Sequence, residues 1–322
     1  MRLVAALRRP SAPPSLPWET LCRDPAIGPV RLTGALSERP GAVGMALLVH
    51  GLGGSSESPY LRTAAAAAAA AGLSALRLNL RGSDRRGGDY FHAGLTDDLR
   101  AALASPAVAA APRVVLLGYS LGGHLALRYL TEDDVDPRVV AAAAVCAPLD
   151  LDAGARAIDA PGRWLYRRYL LRHLEEIYAE VARTRPVPVP PARVRQVRRL
   201  REFDGLVIAP RFGFRDAEDY YARMSVGPRL GRLARPALLV AARHDPMVPA
   251  ATLAPSLAAA PPRLTVRWTE RGGHVGLPAD LDLGLGPGTA RGVASQAIGW
   301  LMERLGPVAL HGEGDGGRES GR

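Results

Sequence analysis

The chain has 322 residues, 48% of them hydrophobic and 22% charged, a balance that suits one large α/β domain with room for an inserted subdomain. All 41 basic residues are arginine, against 31 acidic ones, which excludes a phosphate-loop lysine, a Schiff-base enzyme and a pyridoxal anchor. The arginines are spread along the chain among many Ala, Gly and Pro residues, which speaks against nucleic-acid binding, and Cys22 and Cys146 lie too far apart in sequence for a disulfide framework or a zinc spacing.

Residues 1–40, with Pro10, Pro13, Pro14 and Pro17, read as an irregular N-terminal arm. Within it, residues 30–33 are expected as a short edge strand, with Trp18 and Leu21 pinning the arm to the core. The apolar residues 3–7 are too few for a signal-peptide core, and no apolar run nears the ~18 residues that span a bilayer. The expectation is a cytoplasmic protein, whose formal charge of +10 favours transient contact with an anionic lipid surface.

The first part of the core, residues 41–148, opens with a buried strand over 45–49 that runs into His50-Gly51-Leu52-Gly53-Gly54-Ser55-Ser56. A dinucleotide loop needs G-x-G-x-x-G, and Ser56 stands where the third glycine belongs. Two readings remain. One is a plain glycine-rich turn; the other is an H-G-x-x-G oxyanion loop, in which Gly51 and Gly53 leave the Leu52 amide open to a ligand. A helix over 58–71 follows, with Pro59 in its first turn and eight alanines from 64 to 71, and Gly72 ends it. Next come a strand over 73–80, a polar loop over 81–92 and a helix over 95–103. His92 in that loop reads as a hydrogen-bonded structural residue, not as a metal ligand.

The apolar run 114–117 then enters Gly118-Tyr119-Ser120-Leu121-Gly122, and an apolar helix face follows through residue 130. Strand, sharp turn and helix around G-x-S-x-G make a nucleophile elbow. Gly118 and Gly122 supply the room that the turn needs, and the start of the helix favours developing negative charge. A strand over 139–146 completes a strand–helix alternation that predicts a parallel sheet covered on both faces.

From 149 to 233 the pattern changes to helical periodicity without strands: Leu171, Leu174, Ile177 or Tyr178, and Val181, then Val194, Val197, Leu200 and Phe203. The stiff link TRPVPVPP separates the two sets. This block is expected as a helical cap, with Trp164, Tyr169 and Phe214 as candidate pocket walls. The core resumes over 234–308, with strands over 237–242 and 264–268 and a closing helix over 291–305, before a disordered tail over 309–322.

Ser120, Asp245 and His274 each follow a strand, in the order Ser, Asp, His. A serine hydroxyl needs a base to take its proton, and the base needs an acid to orient it. Ser120 is therefore the candidate nucleophile, His274 the base and Asp245 the acid, with the Leu52 and Leu121 amides as the oxyanion hole. Asp150 is the rival acid, and His244 reads as a loop residue.

The segments HGLGGSSESPY, NLRGSDRRGGDYFHAGLTDDLR, GYSLGGHLALRYL, REFDGLVIAPRFGFRDAEDYYARMS and ERGGHVGL resemble the YheT-like branch of the α/β-hydrolases, from about residue 49 to 277. The resemblance implies an α/β-hydrolase fold, a mostly parallel central sheet with helices on both faces and an inserted helical cap. It also implies a serine hydrolase for carboxylic esters, short- to medium-chain or acylglycerol-type; no cofactor or metal is expected, since no metal-ligand spacing or nucleotide loop survives inspection. A thioesterase or amidase on the same residues is the alternative within enzymes, and a non-catalytic binder of small molecules is the alternative outside them. Two features depart from the branch. The part before His50 looks shorter than usual, and Ser83, to which no role is assigned, stands where relatives often carry cysteine.

Overall fold

A computed structural model of the chain describes residues 12–285 and 289–306. The tail expected over 309–322 lies outside the described residues. Eight strands form one sheet: β1 (Leu16–Asp24), β2 (Gly28–Ser37), β3 (Met45–Val49), β4 (Ser74–Asn79), β5 (Val114–Tyr119), β6 (Val139–Val145), β7 (Ala237–Ala242) and β8 (Leu264–Thr269). Their spatial order is β1-β2-β4-β3-β5-β6-β7-β8. From β4 to β8 every pairing is parallel. The two N-terminal strands are antiparallel to each other and to β4.

The irregular arm expected over 1–40 is thus corrected over Leu16–Ser37, which is a hairpin on the sheet edge. Trp18 and Cys22 point inward, while Leu21 is 65% exposed and pins nothing. The turn is built locally: the Asp24 carboxylate accepts the Ala26 and Ile27 amides at 3.0 and 3.2 Å, and Gly28 takes a positive φ.

The central strands are buried on both faces, as their unbroken apolar runs require. Leu47 and Leu116 pack toward the cap side, and Leu48 and Leu117 toward the opposite layer. That opposite layer is made by the helices Pro59–Ala70 and Val293–Leu305. Ala64, Ala65 and Ala68 are fully buried there, and their small side chains let the helix lie close against the sheet.

Between β6 and β7 the described chain holds helices and the loops that join them, with no strand. Leu174, Ile177, Tyr178 and Val181 form the buried stripe of the helix Trp164–Thr184. The second set, Val194 to Phe203, is buried as expected but not on one helix. Short helices Pro191–Val194 and Leu200–Phe203 are followed by a widened π turn, Asp204–Ile208, and the helix Ala209–Phe212. Pro210 lies just past that turn. It lacks an N–H, and its ring conflicts with the carbonyl four residues back, which favours the wider turn.

A buried ion network ties cap, hairpin and sheet. The fully buried Arg81 guanidinium bonds Asp98 and Asp24 at 2.8 Å and Asp89 at 3.2 Å, and Arg211 of the cap reaches Asp24 and Asp89 at 3.1 and 2.7 Å.

Candidate active site

Ser120 sits between β5 and the helix Leu121–Tyr129, with φ 51 and ψ −118. This is a strained position for a residue with a Cβ, held by the Ser120 amide donating to Val145 O at 2.8 Å. The flanking glycines are required by contact. A Cβ at Gly118 would lie 2.1 Å from Gly122 O, and one at Gly122 would lie 2.4 Å from Val49 O.

The serine hydroxyl meets His274 Nε2 at 2.9 Å. On the other side of the ring, Nδ1 lies 2.9 Å from Asp245 Oδ2 and 3.1 Å from Oδ1. Asp245 is buried, and its Oδ1 also accepts the Met247 and Val248 amides at 2.8 and 2.9 Å. Those two donors fix the orientation of the carboxylate. Asp150, the rival acid, instead caps the helix Leu151–Asp159 by accepting the Ala153 amide at 3.0 Å. His244 is exposed and lies near Glu270.

The Leu121 amide is the first of its helix, and the Leu52 amide lies in the loop after β3; neither donates to another described residue. Both residues line the same cavity as Ser120 and His274. Gly51 packs so closely that a Cβ there would lie 2.9 Å from the Ser120 Cβ, and Gly53 has a φ of +75.

Two supports of this loop were not legible in the sequence. The Tyr60 hydroxyl accepts the Gly51 amide at 3.1 Å, with its ring 4.7 Å from that of Tyr119. His50 donates from Nδ1 to Gly51 O at 2.7 Å, while Nε2 accepts the Leu80 amide at 3.2 Å and lies 3.0 Å from Ser83 Oγ. Burial pushes His50 down to about 4, so it stays neutral and can make this pattern. Ser83 Oγ donates to Leu80 O at 2.6 Å and packs against this histidine, a contact the sequence did not reveal.

Among the described residues, Cys146, Asp245 and His274 bring three possible ligand atoms within 4.8 Å of one another. Burial, with the Asp245 charge adding to it, pushes the Cys146 thiol up to about 12. The imidazole is bonded on both sides, so this donor set suits proton transfer better than metal binding.

The cavity over Ser120 has a volume of about 670 Å³. Its walls are mostly apolar and come from the cap as well as the core, with Leu170, Leu174 and Ile208 among them. Of the three expected cap walls, Tyr169 lines the cavity. Trp164 is 53% exposed outside it, and Phe214 packs behind, with its ring 5.2 Å from that of Tyr220. His92 is structural as expected: its Nδ1 accepts the Gly94 amide at 3.0 Å, and burial pushes it down to about 3. It also lines the cavity.

Serine, imidazole and carboxylate at the C-terminal ends of parallel strands, under a helical cap, define an α/β-hydrolase site. The model of the Alpha/beta hydrolase family matches residues 46–282. The Escherichia coli (strain K12) protein named "Putative esterase YheT" is 35% identical over 237 residues, 71% of this chain and 69% of that one. The chain belongs to the α/β-hydrolase family, in its YheT-like branch, a family of esterase- and lipase-type hydrolases. The Monoacylglycerol lipase of Saccharomyces cerevisiae is 28% identical over 168 residues, 50% of this chain but only 37% of the lipase. Among solved structures, the Pyrococcus furiosus esterase Pf2001 aligns with a TM-score of 0.54 at 17% identity, covering 81% of this chain and 85% of that one. Among the described residues, no helix is long and apolar enough to cross a membrane.

Proposed function

We propose that this protein hydrolyses carboxylic esters through an acyl-enzyme on Ser120. The observation that carries the reading is the single imidazole bonded to Ser120 Oγ on one side and to Asp245 on the other, at 2.9 Å each. His274 Nε2 takes the Ser120 proton as Oγ attacks the ester carbon, and Asp245 stabilises the resulting imidazolium. The carbonyl oxygen gains charge facing the Leu52 and Leu121 amides. Collapse breaks the bond to the alkoxy oxygen, which leaves as the alcohol with the proton from His274. Water then attacks the acyl-enzyme, gives its proton to His274, and releases the acid as Ser120 regains a proton. No step calls for a metal or an organic cofactor.

The substrates are esters of short- to medium-chain acids, acylglycerol-type lipids among them. An apolar cavity of about 670 Å³ suits such a chain. Each buried methylene is worth ~0.8 kcal/mol, so two added carbons raise kcat/KM by roughly tenfold until the cavity is full. Four of the six large apolar side chains exposed among the described residues, Trp164, Leu165, Tyr166 and Tyr169, cluster at the start of one cap helix. Arginines 163, 167, 168 and 172 are interspersed with them. Leu165, Tyr166 and Tyr169 also line the cavity, so this face suits uptake from an anionic lipid surface.

A fluorophosphonate should label the native protein once, at Ser120. Labelling of Ser120→Ala at the native rate would overturn the assignment.

A further inference from the structure

The apolar cavity wall contains one carboxyl group outside the Ser120 machinery, and it belongs to Asp204. This residue opens the widened turn of the cap and is only 7% exposed. It lines the cavity beside Phe203, Ile208, Tyr220 and Tyr221. Its Oδ2 accepts the Tyr221 hydroxyl at 2.6 Å, and its Oδ1 takes no hydrogen bond from any described residue. The nearby Arg201 guanidinium forms no ion pair with it, being paired with Asp152 and Glu218 and lying 5.2 Å from the centre of the Tyr221 ring. Tyr220 is left incomplete in the opposite sense. Its hydroxyl accepts the Ala93 amide at 2.9 Å, and no described residue accepts its proton. The open carboxyl oxygen and the unplaced hydroxyl proton therefore both belong to residues of the cavity wall.

We propose that Asp204 and Tyr220 form a polar subsite that binds a free hydroxyl group of the ester substrate. This rests on the ester-hydrolase reading of Ser120 and names a substrate class for it. A hydroxyl donates to Asp204 Oδ1 and accepts from the Tyr220 hydroxyl, so one group completes both residues. Burial pushes the Asp204 carboxyl up to about 7, so both of its protonation states are present near neutrality. A hydroxyl suits either state, since it donates to the carboxylate and accepts from the acid. An ammonium group would suit only the ionised one. The hydroxyl can sit on the alcohol, as in a partly esterified polyol, or on the acyl chain.

Paired esters separate these two sources. One arm compares 2-hydroxyethyl butyrate with propyl butyrate; the other compares a 6-hydroxyhexanoate ester with the heptanoate ester of the same alcohol. Wild type should favour the hydroxylated member of one arm by ~5- to 10-fold in kcat/KM, the worth of one or two hydrogen bonds. Asp204→Leu should bring that ratio to one or below, and Tyr220→Phe should lower it in part. Circular dichroism and fluorophosphonate labelling show which variants are folded. If Asp204→Leu is not, Asp204→Ala takes its place. A wild type with no preference in either arm overturns the subsite without any variant, as does a folded Asp204→Leu that keeps the wild-type ratio. Absence of labelling and of all ester hydrolysis in wild type would instead overturn the ester-hydrolase reading.

Discussion

Replacing Asp245 by asparagine should cost far more than one hydrogen bond, and the local geometry says why. Asp245 Oδ1 accepts two backbone amides, from Met247 and Val248 at 2.8 and 2.9 Å, while Oδ2 faces His274 Nδ1 at 2.9 Å. The asparagine oxygen must take the place of Oδ1, because an NH₂ there would confront two donors. Its NH₂ group then points at His274 Nδ1 and donates to it. That bond selects the tautomer with the proton on Nε2, so the ring presents a donor, not an acceptor, to Ser120 Oγ. The base is lost while shape and packing are kept. A wrong-tautomer substitution of this kind in a serine protease lowers kcat by ~10⁴, equivalent to ~5.5 kcal/mol of barrier, and a similar drop is expected here. The assay is kcat/KM on p-nitrophenyl butyrate with the rate of fluorophosphonate labelling, alongside thermal melting to show that the fold survives. A folded Asp245→Asn protein within tenfold of wild-type kcat/KM would refute both the tautomer reasoning and the role of Asp245.

Gly122→Ala places a methyl 2.4 Å from Val49 O and 2.5 Å from His50 O, both backbone atoms; the expected cost of ~3 kcal/mol lowers Tm by roughly 6 °C or more, and an unchanged melt would contradict the packing. Stability should fall in mild acid. Burial holds His50 and His124 down to about 4 and His92 to about 3, so the unfolded chain binds protons below its ordinary histidine pKa of 6.5 that the folded chain refuses. Asp204, pushed up to about 7, acts in the opposite direction and returns about one of the three protons. The net of about two protons makes unfolding easier by roughly 2–3 kcal/mol per pH unit between pH 6 and 4.5, and urea midpoints that stay level from pH 7 to 5 would rule this out. Trp164→Glu should weaken sedimentation with phosphatidylglycerol-containing vesicles by ~tenfold; equal binding of both proteins would remove the lipid-facing role of that helix.

The sequence alone determined whatever depends on residues close together in the chain. The elbow around Ser120 is such a case, because strand, glycines and helix are contiguous. So are the apolar runs of the parallel strands, since burial on both faces leaves no alternation to misread. The order Ser120, Asp245, His274 was legible as well, because each residue follows its own strand. The hairpin Leu16–Ser37 was not: its inward residues Trp18 and Cys22 share a face, but prolines and the exposed Leu16 and Leu21 hide the period. The sequence preferred Asp245 with Asp150 as its rival, since both follow strands, and the tertiary structure brings Asp245 and not Asp150 to His274. It also decided that Tyr169 lines the cavity while Trp164 and Phe214 do not. Helical spacing identifies a buried stripe but not what the stripe is buried against. The Ser83–His50 contact spans 33 positions and that of Tyr220 with Ala93 spans 127. No local period encodes such pairs, and they form only when strand order and the return of the cap over the sheet bring their elements together.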